Sequence, residues 1–292
     1  MEHTGFPSDE TLAAFIDGRL DPETRAQVIA HMATCPECYS VFMSATEMVS
    51  TTASSNGSHR SSRHAWLAVA VTTVAAAVAI VFLVTPIRDF VLPQQDKGME
   101  TLAKAAPDQR TITGRISGFP YQPMAHRTRA ANVDPMKDPE NANLLTASAA
   151  VQRSVMARRT PANLHAAGVA SLLLGQTDVA IDRLHEALLA ETGEHRVAAA
   201  IEGSKDGSLL NDLSAALSNR ARPKLVDKIE SVRCAEKAWR IGRTPEAAWN
   251  RALATEALNG PESARTAWHD YLAIDPSSPW AVEARKRLEP AN

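Results

Sequence analysis

His31, Cys35 and Cys38 are the residues whose types and spacing could do chemistry in this chain of 292 residues. A histidine and a cysteine four apart share one face of a helix, and a second cysteine three further on follows as that helix ends. One imidazole and two thiolates form a donor set suited to Zn2+, which takes nitrogen and sulfur ligands in a tetrahedron. The His-Glu-x-x-His pairing that gives zinc proteases both ligands and a base is missing, so the expected metal role is structural and no enzyme is expected. The third cysteine, Cys234, stands alone and reads as packing, and three cysteines placed so unevenly make no disulfide framework. His165, His185, His195 and His269 are scattered without metal spacing and read as surface or packing residues.

Two short helices must carry these ligands. Ser8 can cap the first, with Leu12, Phe15 and Ile16 on one face and Asp17-Gly18 ending it. Asp21-Pro22-Glu23 begins the second: an N-cap carboxylate, a proline at the first helical position and an acid in the first turn. Val28, Ile29 and Met32 give it an apolar face, and His31 and Cys35 lie four apart along it. A unit of about 45 residues has too little core to stand by itself. A bound structural zinc can supply on the order of 10 kcal/mol.

The stretches Leu12-Ala13-Ala14-Phe15-Ile16-Asp17-Gly18-Arg19-Leu20-Asp21-Pro22-Glu23 and His31-Met32-Ala33-Thr34-Cys35-Pro36-Glu37-Cys38 resemble the zinc-finger of zinc-binding anti-sigma factors, over residues 8 to about 45. That resemblance implies bound Zn2+ and helices that clamp a sigma factor, blocking its access to RNA polymerase. Members of the family often take their fourth ligand from a His or Cys roughly 25 residues before the motif histidine, where this chain has Phe6. His3 lies three residues from that position and is the candidate fourth ligand; Asp9, Glu10, water or no fourth ligand at all are the alternatives. The same zinc fold also precedes other modules in proteins that hold no sigma factor.

Residues 65–85 run without a charge, matching the roughly 20 residues that cross a hydrocarbon core. A Ser/Arg/His-rich stretch precedes them, Pro86, Arg88 and Asp89 follow, and Trp66 and Phe90 stand at the two ends. The run starts too far into the chain for a cleaved signal peptide, so a single-pass anchor in a bacterial inner membrane is expected. Lys and Arg counts do not orient it, but reduced thiols favour a cytoplasmic N-terminus and an extracytoplasmic C-terminus.

The expected fold class is mostly α: a small zinc-binding helical domain (1–48), a cytoplasmic linker (49–64), the transmembrane helix (65–86), an irregular extracytoplasmic stalk (87–146) and an α-solenoid of tetratricopeptide-like hairpins (147–292). Only 5% of residues are aromatic, and the second half is rich in Ala and Leu, which favours helices. A net charge of -2 gives no basic footprint for nucleic acid. Within the stalk, residues 111–116 alternate weakly enough for one short strand, and 118–123 read as packing against the next domain rather than as a polyproline ligand. Arg127 and Arg129 fit a solvated surface.

Small residues recur through the last half in a way that resembles the tetratricopeptide pattern: Gly168, Gly175, Ala180 and Ala187 in one pair of helices, and Ala252, Gly260 and Ala264 in another, with Tyr271 where a small residue is usual. Trp249 and Trp268 are expected in the core, and a last helix over 280–288 is expected to cap the stack. The resulting expectation is a membrane-anchored regulator that binds a sigma factor through its zinc domain and an unidentified extracytoplasmic protein or peptide through its repeats. The alternative is a non-catalytic membrane scaffold, since the order of parts also resembles the N-terminal half of caspase-like (CHAT) repeat proteases.

Overall fold

The computed structural model describes residues 7–16, 19–35, 38–39, 41–42, 97–125 and 139–289. Helices α1 (Asp9–Ile16) and α2 (Pro22–Thr34) form the N-terminal unit. Ser8 Oγ accepts the Thr11 amide at 3.2 Å, and Asp21 Oδ1 accepts the amides of Glu23 and Thr24 at 3.1 and 2.9 Å, so both helices start on side chains that satisfy otherwise orphaned donors. Leu12, Phe15, Val28, Met32, Tyr39 and Phe42 are buried between and beyond them, with the Phe15 and Phe42 rings edge to face at 5.7 Å.

The remaining helices are α3 (Lys97–Ala105), α4 (Pro139–Ala157), α5 (Pro161–Leu173), α6 (Thr177–Thr192), α7 (Val197–Gly203), α8 (Gly207–Ser218), α9 (Leu225–Gly242), α10 (Pro245–Asn259), α11 (Pro261–Ile274) and α12 (Pro279–Leu288). Three hairpins, α5–α6, α8–α9 and α10–α11, stack in order; α3 and α4 cover one end and α12 the other. Thr160, Thr244 and Ser278 each cap a helix whose first turn holds a proline, so the starts of α5, α10 and α12 are fixed by local chemistry. Gly168 lets α5 and α6 close together: a Cβ there would lie 2.6 Å from Leu184 Cγ. At the far end Trp249 packs edge to face against Trp268, Tyr271 and Trp280 at 5.0, 5.3 and 4.8 Å.

The expected fold class needs correction in two respects. No helix among the described residues is long and apolar enough to cross a membrane, so the expected single transmembrane helix is not supported; residues 65–86, to which it was assigned, lie outside the described residues. The hairpins are real, but they are not supported as tetratricopeptide repeats. They begin at Pro161, Gly207 and Pro245, unequal intervals each longer than a repeat of about 34 residues, and α7 is inserted between the first two.

The stretch expected as an irregular stalk, 87–146, contains α3 and the start of α4, and its middle lies against the helical array with Leu102, Ile112 and Ile116 buried. Residues 111–116 form no strand; a single parallel bridge joins Arg110 and Met124. Arg127 and Arg129 lie outside the described residues. The N-terminal unit and the array were expected on opposite faces of a membrane. In the structure α2 packs directly on α9 and the two share one core.

Candidate metal centre

His31 stands in the last turn of α2, Cys35 is its C-cap, and Cys38 follows three residues on. The Cys35 amide donates to His31 O at 2.8 Å and the Tyr39 amide to Cys35 O at 3.2 Å, which ties Tyr39, and with it the neighbouring Cys38, to the end of α2. Their ligand atoms, with Cys35 Sγ, all lie within 4.8 Å of one another, and His31 Nε2 is 3.3 Å from Cys38 Sγ. Bonds of about 2.0–2.3 Å to a tetrahedral Zn2+ require donor atoms about 3.5–3.8 Å apart, so the cluster needs only small adjustment to close on an ion. Cys38 is buried and His31 and Cys35 are half-buried, which shields the site without sealing it. No disulfide involves Cys35, Cys38 or Cys234. These residues therefore fit a metal, which would link the end of α2 to the segment after it and so hold the unit's fold.

The wall behind the site comes from α9. Tyr39, next to Cys38, is fully buried; its hydroxyl donates to Glu230 Oε2 at 3.3 Å and the Arg233 guanidinium lies 4.7 Å over its ring. Burial, then the Glu230 charge, holds the Tyr39 hydroxyl well above its ordinary pKa, so it stays a neutral donor. Arg233 also donates from Nη1 to Met32 O at 3.2 Å and pairs with Glu202. It thus satisfies a carbonyl in the last turn of α2, near the site. Cys234 is wholly buried, and burial pushes its thiol well above the usual range, which makes it an inert packing residue.

Residues 9–39 match the model of a zinc-finger family. The matched span contains α1, α2 and all three converging side chains, so the family match and the geometry mark the same residues. It covers a small part of the chain and leaves the array outside it. No curated protein and no solved structure matches the chain.

The structure brings together three of the four residues expected to bind the metal, His31, Cys35 and Cys38; the fourth, His3, lies outside the described residues. Among the scattered histidines, His165 is buried with Nε2 2.8 Å from Asp212 Oδ2, and His185 pairs with Glu230. Sequence reasoning missed a second polar cluster, Asn211, Asp212 and Asn250, buried in the middle of α8 and α10. The available signal was an asparagine on the apolar face of two helices, in Leu209-Leu210-Asn211-Asp212-Leu213 and Ala248-Trp249-Asn250. Polar groups are costly there without a partner.

Proposed function

We propose that this chain is a non-enzymatic regulator of the anti-sigma type, in which the N-terminal unit holds Zn2+ through His31, Cys35 and Cys38 and binds a sigma factor, while the helical array docks a protein partner. The observation that carries this reading is the convergence of those three side chains inside the span that matches the zinc-finger family, a family found in anti-sigma factors. Zinc is favoured over harder cations because two of the three donors are thiols. The metal's part is to fix the end of α2 and the segment after it, so the helices present a rigid face.

The test is reconstitution of the full chain, its zinc quantified, with purified candidate sigma factors from the same genome. A one-to-one complex on size exclusion that is lost in the Cys35→Ser, Cys38→Ser double variant is the expected result. Folded, zinc-loaded chain that captures no sigma factor would overturn the regulator reading and leave a scaffold.

A further inference from the structure

Residues 110–119 thread along the array without helix or strand, bending at Thr113 and Gly114 and turning where the Phe119 amide donates to Ile116 O at 3.3 Å, and the array grips their backbone. Asn250 bonds the main chain of Arg115 twice: Oδ1 accepts its amide at 2.8 Å and Nδ2 donates to its carbonyl at 2.8 Å. Asn211 Nδ2 donates to the same carbonyl at 2.9 Å, and Asp212 Oδ1 accepts the Ser117 amide at 2.8 Å. Asn250 Nδ2 also reaches Asn211 Oδ1 at 2.8 Å, and His165 holds the other Asp212 oxygen, so the three side chains are fixed relative to one another. Trp249 Nε1 adds a bond to Thr113 O at 3.0 Å. Apart from Asn211 Nδ2 to Ser117 Oγ at 2.9 Å, the bonds from these side chains to the segment address its peptide groups, and another peptide with the same bend could make them.

Selectivity comes from two neighbouring seats. A Cβ on Gly114 would lie 2.7 Å from Ala215 Cβ and 2.9 Å from Ala215 Cα, too close for any side chain. The Arg115 guanidinium is enclosed by Tyr271 Oη at 2.9 Å, Asp275 Oδ2 at 3.1 Å, Glu246 at 3.6 Å and the Trp280 ring at 4.9 Å. Beside this seat the segment leaves a cavity of about 690 Å³, lined in part by Ile112, Ile116, Phe119, Leu145, Leu174 and Trp280. That volume lies within the range of sites that take ligands.

We propose that the clamp of Asn211, Asp212 and Asn250 is a binding site for a bent, non-helical segment of a partner protein with the pattern apolar-x-Gly-Arg-apolar, and that residues 112–116 are its tethered occupant. Larger apolar side chains flanking Gly-Arg in the partner would fill the cavity that Ile112 and Ile116 leave open. Tethering gives the internal segment a high effective concentration, so an incoming peptide binds weakly until that segment is released. This inference deepens the part of the proposed function that gives the array a protein partner and rests on that part alone; metal content and sigma-factor capture are measured separately and can fail independently.

The test uses the full chain and a fluorescein-labelled synthetic peptide of residues 110–119. Gly114→Val, which the Ala215 backbone cannot accommodate, should release the tethered segment and tighten peptide binding at least about tenfold over wild type. Adding Asn250→Ala should remove that gain, and a peptide carrying Arg115→Glu should not bind. A folded Gly114→Val chain that binds the peptide no better than wild type, or takes both peptides equally, overturns the proposal. So does a Gly114→Val chain that dimerises without taking up peptide, which would assign the clamp to a second copy. If Gly114→Val does not fold, hydrogen exchange on the wild-type chain decides: excess peptide should speed exchange at the Arg115 and Ser117 amides, and unchanged protection at millimolar peptide overturns the clamp.

Discussion

The N-terminal unit and the helical array reach stability by different routes. Among the described residues the unit buries six large apolar side chains from two short helices and the segment after them, and beside that small core it draws His31, Cys35 and Cys38 together and leans Tyr39 on Glu230 and Arg233 of α9. The array has hairpin after hairpin of close helix contacts and an aromatic cluster at its end, so its core closes without a metal. The lesson concerns where change acts: chemistry that alters ligands should act on one region, and chemistry that alters volume on the other.

Stripping the metal should give the largest effect, because binding to such a unit is linked to folding by on the order of 10 kcal/mol. Chelation, or Cys35→Ser with Cys38→Ser, should abolish protease resistance within residues 7–42 while the array keeps its cooperative melt. Hydrogen exchange should rise on α9 around Glu230 and Arg233, the residues that face Tyr39 and Met32. Unchanged exchange there would mean that the two regions do not lean on each other in solution, and unchanged protease resistance in 7–42 would remove the metal from the fold altogether.

The converse perturbation is Trp249→Ala. Trp249 is 1% exposed and touches three other aromatic rings, so truncation leaves a large void and should cost about 3–5 kcal/mol. At about 2–4 °C per kcal/mol for a region of this size, the array's melting temperature should fall by roughly 10 °C. Zinc content should not change. A loss of metal together with the array would show that the two routes are not separate.

The two regions also differed in how far they could be read from sequence. The convergence of His31, Cys35 and Cys38 was legible because their spacing is local: a helix forces His31 and Cys35 onto one face, and Asp21-Pro22 marks where that helix begins. The last helix of the array was legible for the same reason, expected over 280–288 and found at Pro279–Leu288, while the equally local starts at Thr160-Pro161 and Thr244-Pro245 went unread. Hidden from the sequence were contacts between distant residues. Arg233 reaching Met32 across 201 residues, and Asn250 gripping Arg115 across 135, leave no periodicity along the chain. The segment around Arg115 looked like a stalk because its hydrogen bonds go to side chains of other elements instead of to a neighbouring strand or helical turn. Repeat identity was over-read from small residues such as Gly168, which mark a close helix crossing and not a family.

The smallest expected effect sits at the seam between the regions. His185 of α6 pairs with Glu230 of α9, which also accepts the Tyr39 hydroxyl. Burial alone would lower the pKa of the imidazole, but the Glu230 charge and hydrogen bond, helped by Asp182 and opposed by Arg220, outweigh it and leave the value above the ordinary one. A histidine that binds its proton more tightly when folded stabilises the fold fully below its unfolded pKa of about 6.5, and this contribution is lost as pH rises through the higher folded value. The melting temperature of the metal-loaded chain should therefore fall slightly between roughly pH 6 and pH 8.5, and His185→Gln should flatten that slope while binding the same zinc. A slope unchanged in the variant would place the titrating group elsewhere. If the slope vanishes in both the variant and the chelated wild type, the ion pair matters only while Tyr39 is docked, and the seam belongs to both regions at once.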